Sequence, residues 1–241
     1  MPRILDLMDK HRIKMSSFMF GEAVPRHPDV AAEIVNRGHE AGAHGRCWER
    51  QYQLDRDAET QRIADSAKAI DEATGFRPVG YNISWIRPGV NTLEILQELG
   101  FSYHIDDLSA DEPFLHSING RRSRRCLTRC TSTTLPALTF RASRQPTTSN
   151  NSSTNSSSST ARAWLRRRMM VIGLHERLSG HASRVRGLDR VFARLRERNG
   201  VWWARKDEIT SWTMQHADTA AWVNREPAPI SGLPSRSGRH E

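Results

Sequence analysis

Apolar positions recur every three or four residues over several stretches of this chain, and shorter apolar runs lie between them. "PRILDLMDKH" places Ile4, Leu5, Leu7 and Met8 on one helical stripe. "HPDVAAEIVNRG" predicts a second helix, with Val30, Ile34 and Val35 inward and Gly38 as its stop. "AETQRIADSAKAIDEATG" puts Ile63, Ala67, Ile70 and Ala73 on one face and ends at Gly75. "NTLEILQELG" is a helix opened by an Asn91 cap and closed by Gly100. "IKMSSFMF" and "FSYHI" read as strands. Near the other end the rhythm resumes: "MMVIGLH" as strand, "SRVRGLDRVFARLRER" as helix, "GVWWAR" as strand and "KDEITSWTMQHA" as helix. Strands alternating with helices imply parallel pairing and an α/β fold.

The middle breaks this rhythm. From Pro113 to His175 there is no Asp, Glu or Lys, yet eleven Arg lie between Arg121 and Arg168. Those eleven exceed the whole formal net charge of +9, so the rest of the chain is slightly acidic. The basic character therefore belongs to one segment. Nucleic-acid surfaces mix Lys with Arg and interleave aromatics, whereas this segment has only Phe114, Phe140 and Trp164. A specific nucleic-acid partner is not expected, and a basic module acting through the Arg-rich segment stays the outside alternative. No apolar run is long enough to cross a membrane and no basic-then-apolar leader is visible. Three cysteines, Cys47, Cys126 and Cys130, are too few for a disulfide scaffold. The C-x3-C spacing of Cys126 and Cys130, with His104 and His116 upstream, is poor support for zinc. A cytoplasmic protein is expected, with a homo-oligomer compatible.

The flanking motifs, taken in order, resemble the polysaccharide deacetylase (NodB-homology) family, in its cytoplasmic, allantoinase-like branch. "RHPDVAAEIVNRGHEAGAHG" resembles the helix and strand that bring in that family's second motif. "TGFRPVGYN" resembles the strand of its third motif, and "NTLEILQELGFSYHIDDLSADEPF" the next helix, strand and loop. "MMVIGLHERLSGHASRVRGLDRVFARLRERNGVWWARKDEI" resembles its Leu-His motif and closing elements. The resemblance implies a distorted (β/α) barrel of seven strands, with the site at the C-terminal strand ends. It implies hydrolysis of a non-peptide carbon–nitrogen bond, such as an N-acetyl amide or a ureide. The expected substrate is a small molecule or an N-acetylated sugar.

Carried over by position, His44 matches a metal-ligand His, and the second ligand position, four residues on, holds Trp48, which cannot bind a metal. The resemblance implies a divalent metal such as zinc, but its Asp ligand and base Asp have no match in this chain. His175 matches the catalytic acid. Asn82 stands where many deacetylases have Arg. Asp107 and Asp111, on the loop after "FSYHI", are expected to meet substrate, and His181 and Arg184 in "LSGHASR" to line the site. Structural alternatives stand beside these: His44 as a strand-end histidine bonded to backbone, His175 as packing, Asp107 and Asp111 as loop caps. His39 is read as structural.

"MPRILDLMDKH" resembles the helix that follows the family's first strand, so that strand and its two Asp are expected to be missing. Low stability is expected from the unpaired neighbours of that strand, and poor catalysis from the missing Asp. The expected organisation is 1–115 as the first part of a partial distorted (β/α)7 barrel, 116–166 as a disordered Arg/Ser/Asn-rich insert, 167–226 as the rest of the barrel, and 227–241 as a disordered tail. The run "NNSSTNSSSST", Asn150 to Thr160, reads as a flexible linker on composition. A second reading is translation out of frame. Shifted by one offset, "NNSSTNSSSSTARAWL" permits "QQLNEFEQLYREGVAT", an amphipathic helix, and "RCLTRCTSTTL" permits "VPYTLHLND", a strand. An inactive remnant of the family is the corresponding functional alternative.

Overall fold

The computed structural model describes residues 1–107, 112–118, 121–126, 169–216 and 221–225, the backbone alone over 121–126 and 221–225. Four parallel strands, β1 (Ser16–Met19), β2 (Glu40–Ala43), β3 (Gly80–Tyr81) and β4 (Tyr103–His104), lie side by side in chain order. The helices α2 (Pro28–Asn36), α3 (Arg56–Thr74) and α4 (Thr92–Glu98) connect them. Register sets Ser16 beside Glu40, Met19 beside Ala43, Ala43 beside Tyr81 and Tyr81 beside His104. This is the expected α/β architecture, a parallel sheet wound by helical crossovers.

Helix α3 shows how sequence sets its limits. Asp55 accepts the Ala58 N–H at 2.8 Å at the start, and Gly75 at φ 73° ends the helix, its N–H on the Asp71 carbonyl at 2.8 Å. Its buried face carries Ile63, Ala67 and Ile70, each 0% exposed, as the periodicity predicts. They meet Ala31, Ile34, Ile95, Leu96 and Phe101 in the core beneath the sheet. Each large side chain so buried stabilises by roughly 1.5–3 kcal/mol relative to an exposed one.

A second core joins the two ends of the described chain. Ile4, Leu7 and Met8 of α1 (Pro2–Lys10) pack with Leu188, Val191, Phe192 and Leu195 of α6 (Ala182–Arg196), which follows the short α5 (Glu176–Ser179). Polar ties flank it: Asp189 accepts from Lys10 at 2.7 Å and meets His11 at 2.6 Å, and Arg196 donates to the Arg12 carbonyl at 2.6 Å.

A buried carboxylate locks the N-terminal ends of the strands. Glu40 accepts from Ser16 of β1, from the Tyr103 hydroxyl of β4 at 2.6 Å, and from the Asp207 N–H of α7 (Lys206–Gln215) at 3.2 Å. Burial pushes its pKa up. Lys206 is drawn in nearby, and burial depresses its ammonium to about 8, with Glu40 opposing the shift.

Several elements differ from the sequence expectations. Val30 is 36% exposed, because Ala31 and Ile34 occupy the inward phase of α2 and Val30 falls a residue outside it. Asn91 makes no side-chain cap; the Thr92 hydroxyl accepts the Gly89 N–H instead, at 2.8 Å. Over 169–175 only Val171 makes a bridge, and 201–205 form no ladder among the described residues. Their apolar side chains, Met170, Ile172, Leu174 and Trp203, reach the α1–α6 core without the backbone pairing. Past residue 115, where a disordered insert is expected, β5 (Phe114–Ile118) continues between antiparallel β6 (Arg121–Cys126) and parallel β7 (Ala221–Arg225). Phe114, Leu115, His116 and Ile118 are buried, as suits a central strand. The rest of the insert, with Cys130 and the Ser/Asn run, and the tail from 226 on lie outside the described residues.

Two measurements check this packing. A Cβ on Gly80 would stand 2.1 Å from the Tyr103 ring, so Gly80→Ala should cost ~1–3 kcal/mol in urea unfolding; no loss would mean that Tyr103 does not lie across Gly80. Lys206 has a folded pKa below its ordinary 10.5. The unfolded chain therefore takes up this proton first as pH falls, and wild type should lose stability relative to Lys206→Met between about pH 10.5 and about 8. A flat difference across that window would place the ammonium in solvent.

Candidate active site

The parallel register brings the carboxyl ends of β1, β2 and β3 to one level. There the His44 N–H donates to the Met19 carbonyl, and the Asn82 N–H to the Ala43 carbonyl, both at 2.9 Å. Phe20, His44 and Asn82 are thus the first residues beyond three adjacent strands. Crevices at this edge of α/β sheets are where substrates meet side chains from several strands.

His44 is the centre of the arrangement. Its Nδ1 lies 2.8 Å from the Asn82 carbonyl. A carbonyl only accepts, so Nδ1 carries the proton and Nε2 keeps its lone pair. The ring stacks on Phe20 with centroids 4.3 Å apart and meets Trp48 edge-on at 6.0 Å. Burial lowers the His44 pKa, the hydrogen bond to Asn82 partly offsetting it. Three charged groups act on it from other elements: Asp106 and Glu176 raise its pKa and His175 lowers it. His175, at the N-terminus of α5, is therefore an electrostatic neighbour of His44, two histidines from distant parts of the sequence.

Asp106, 5% exposed, acts on His44 from the loop after β4. One oxygen accepts the Ile83 N–H at 2.9 Å, and the other faces His104 Nδ1 at 3.3 Å. Burial raises its pKa, with His104, the Ile83 N–H and His44 acting against that. The sequence doublet Asp106–Asp107 signals a carboxylate here, but the expectation falls on Asp107. Asp107 instead lies 3.6 Å from His116 of β5. Phe20 and Trp85 are also absent from the expected site set; an aromatic ending a strand and one after a Ser are signals too common to single out.

The other expected residues are placed as follows. Trp48 is 53% exposed and rests against Trp85, with centroids 4.6 Å apart. His181 is exposed at the N-terminus of α6, and Arg184 is half-buried in its first turn. Asp111 lies outside the described residues. His39 is buried at 3% exposure and accepts the Met15 N–H at 3.2 Å, a structural contact.

A metal needs several His, Cys or carboxylate donors on one point. No group of three or more such residues among the described ones is arranged to hold an ion, and Trp48 offers no lone pair. The donor set present does not fit a three-ligand metal centre. No helix among the described residues is long and apolar enough to cross a membrane.

Comparison with known proteins agrees with this architecture. Residues 1–104 match the family model described as polysaccharide deacetylase. A Schizosaccharomyces pombe protein carrying the polysaccharide deacetylase name is 26% identical over 233 residues, 89% of this chain and 72% of the relative. A Helicobacter pylori peptidoglycan deacetylase is 31% identical over 102 residues, 42% of this chain and 35% of that protein. The crystal structure of an allantoinase superposes with a TM-score of 0.80 at 26% identity, covering 90% of this chain and 72% of that one.

The tautomer and charge of His44 can be read directly. Long-range ¹⁵N NMR should show Nδ1 protonated and a titration midpoint below the ordinary 6.5. A midpoint at or above 6.5 would mean that burial does not govern this ring.

Proposed function

We propose that this chain is a deacetylase-like hydrolase of non-peptide carbon–nitrogen bonds, acting on an N-acylated or ureide substrate through His44 and His175. The observation that supports it is His44 at the carboxyl end of β2, held in a fixed tautomer by the Asn82 carbonyl and within electrostatic reach of His175. His44, kept neutral by burial, presents Nε2 to a water and takes its proton as that water attacks the acyl carbon. His175 gives a proton to the departing nitrogen. The buried Asp106 carboxylate supports positive charge on His44.

A second reading, an inactive descendant of the family, is favoured by one observation: Trp48 stands where the resemblance implies a metal-binding His, and no three-donor set is assembled among the described residues. One assay separates the two. Acetate release from N-acetylglucosamine oligosaccharides and ammonia or urea release from linear ureides are followed with purified full-length chain. Hydrolysis by wild type should fall by about a hundredfold or more in His175→Ala and in His44→Ala. Rates for wild type that match those variants on every substrate would leave the inactive reading standing.

A further inference from the structure

Helix α6 turns its apolar stripe to α1 and its opposite face to solvent. Over 182–198 the chain has six Arg against two acids, Asp189 and Glu197. Asp189 is taken up by Lys10 and His11, and the Arg196 guanidinium by the Arg12 carbonyl. Arg186, Arg190 and Arg194 are exposed, and their guanidinium groups make no ion pair or hydrogen bond among the described residues. By contrast, Arg37 is paired with Asp6, Asp9 and Glu33, Arg46 with Glu22, and Arg56 with Glu94 and Glu98. Residues four apart in a helix share a face and stand roughly 6 Å apart along its axis. The three arginines therefore form a row opposite Leu188, Val191 and Leu195, with Arg198 just past the helix end. Like charges at this spacing destabilise a helix, so the row contributes nothing to the fold.

An exposed indole stands at the C-terminal end of this row. Trp203 turns inward, edge-on to Phe192 of α6 at 6.2 Å and under Arg196 at 5.0 Å. That anchors its neighbour Trp202 beside the end of α6, and Trp202 turns outward, 57% exposed. Its ring meets Trp212 edge-on at 6.5 Å, which fixes the indole while leaving a face to solvent. A large exposed aromatic beside unpaired cations is the pairing that single-stranded nucleic acids use, phosphates on the cations and a base on the ring.

We propose that Arg186, Arg190, Arg194 and Trp202 form a sequence-independent binding surface for single-stranded nucleic acid, apart from the strand-end site. The chain cannot neutralise the row itself. Outside the described residues it has only four acids, Asp111, Asp218, Glu226 and Glu241, scattered over three segments. A lone phosphate is too small to span a row roughly 12 Å long. A polymer with one charge on each unit and a flat base beside it fits both the row and the indole. The planar guanidinium fork matches phosphate oxygens two at a time, and all of the row's cations are Arg. A membrane surface would ask for apolar side chains along the same face, and the outward positions of α6 hold none larger than Ala193.

Fluorescence anisotropy of the full-length chain with a labelled oligodeoxythymidylate of about twelve residues tests this. Wild type should bind, with affinity falling steeply as salt rises. The triple variant Arg186→Gln, Arg190→Gln, Arg194→Gln should bind about tenfold or more weakly. Its logarithmic salt slope should be shallower by about two, roughly 0.7 for each lost phosphate contact. Trp202→Ala should weaken binding about fivefold or more and leave that slope unchanged. Both variants should melt close to wild type, since the exchanged side chains are exposed. No binding by wild type would overturn the proposal. So would equal binding by the triple variant, which would assign the contacts to arginines elsewhere in the chain, or equal binding by Trp202→Ala. Displacement by polyglutamate as complete as by unlabelled oligonucleotide would show a plain anion surface and overturn it as well. None of these readouts depends on turnover at the strand ends.

Discussion

One buried carboxylate governs how this sheet is assembled. Glu40 opens β2 and is bonded at once to β1 through Ser16, to β4 through Tyr103 and to α7 through the Asp207 N–H. A carboxylate taken out of water is tolerable only with its oxygens satisfied, and each partner that satisfies them belongs to a different element. The Tyr103 ring reaches Glu40 only because it lies across Gly80, where any side chain would collide. Strand order, the small residue on β3 and the position of the last described helix are thus consequences of one desolvated group.

With the strands fixed at that end, their opposite ends are aligned by arithmetic. Backbone rungs at Met19–His44 and Ala43–Asn82 stop the strands level, so the next residue on each is thrown toward a shared space. His44 and Asn82 then bond across the gap, and the tautomer of the histidine follows from a carbonyl that has no proton to give. The chemistry at the strand ends is therefore inherited from register rather than from local sequence.

The periodic parts of the fold were legible from the chain. Ile4, Leu7 and Met8, and Ile63, Ala67 and Ile70, are read inward and are buried, because a helix that covers a sheet must repeat its apolar face. The stretches around Val171 and Trp203 misled, since an apolar run reads alike whether its backbone pairs or only its side chains pack. His44 and His175 are singled out in the sequence through a resemblance, but the electrostatic influence of one on the other comes only from the fold. Asp106 and Asp107 show the limit most clearly: adjacent identical residues, one buried behind His44 and one turned toward His116, distinguished only by which side of the chain faces inward.

The α1–α6 core has a consequence for synthesis. Ile4, Leu7 and Met8 leave the ribosome well before their partners Leu188, Val191, Phe192 and Leu195, which lie far along the chain. At roughly 5–20 residues per second, that apolar stripe waits many seconds for its cover. Through that interval α1 is an amphipathic segment with an open greasy side, the kind of surface that chaperones hold and that nascent chains use to stick to one another. The yield of this protein in a cell would then depend on what shelters α1 until α6 has been made.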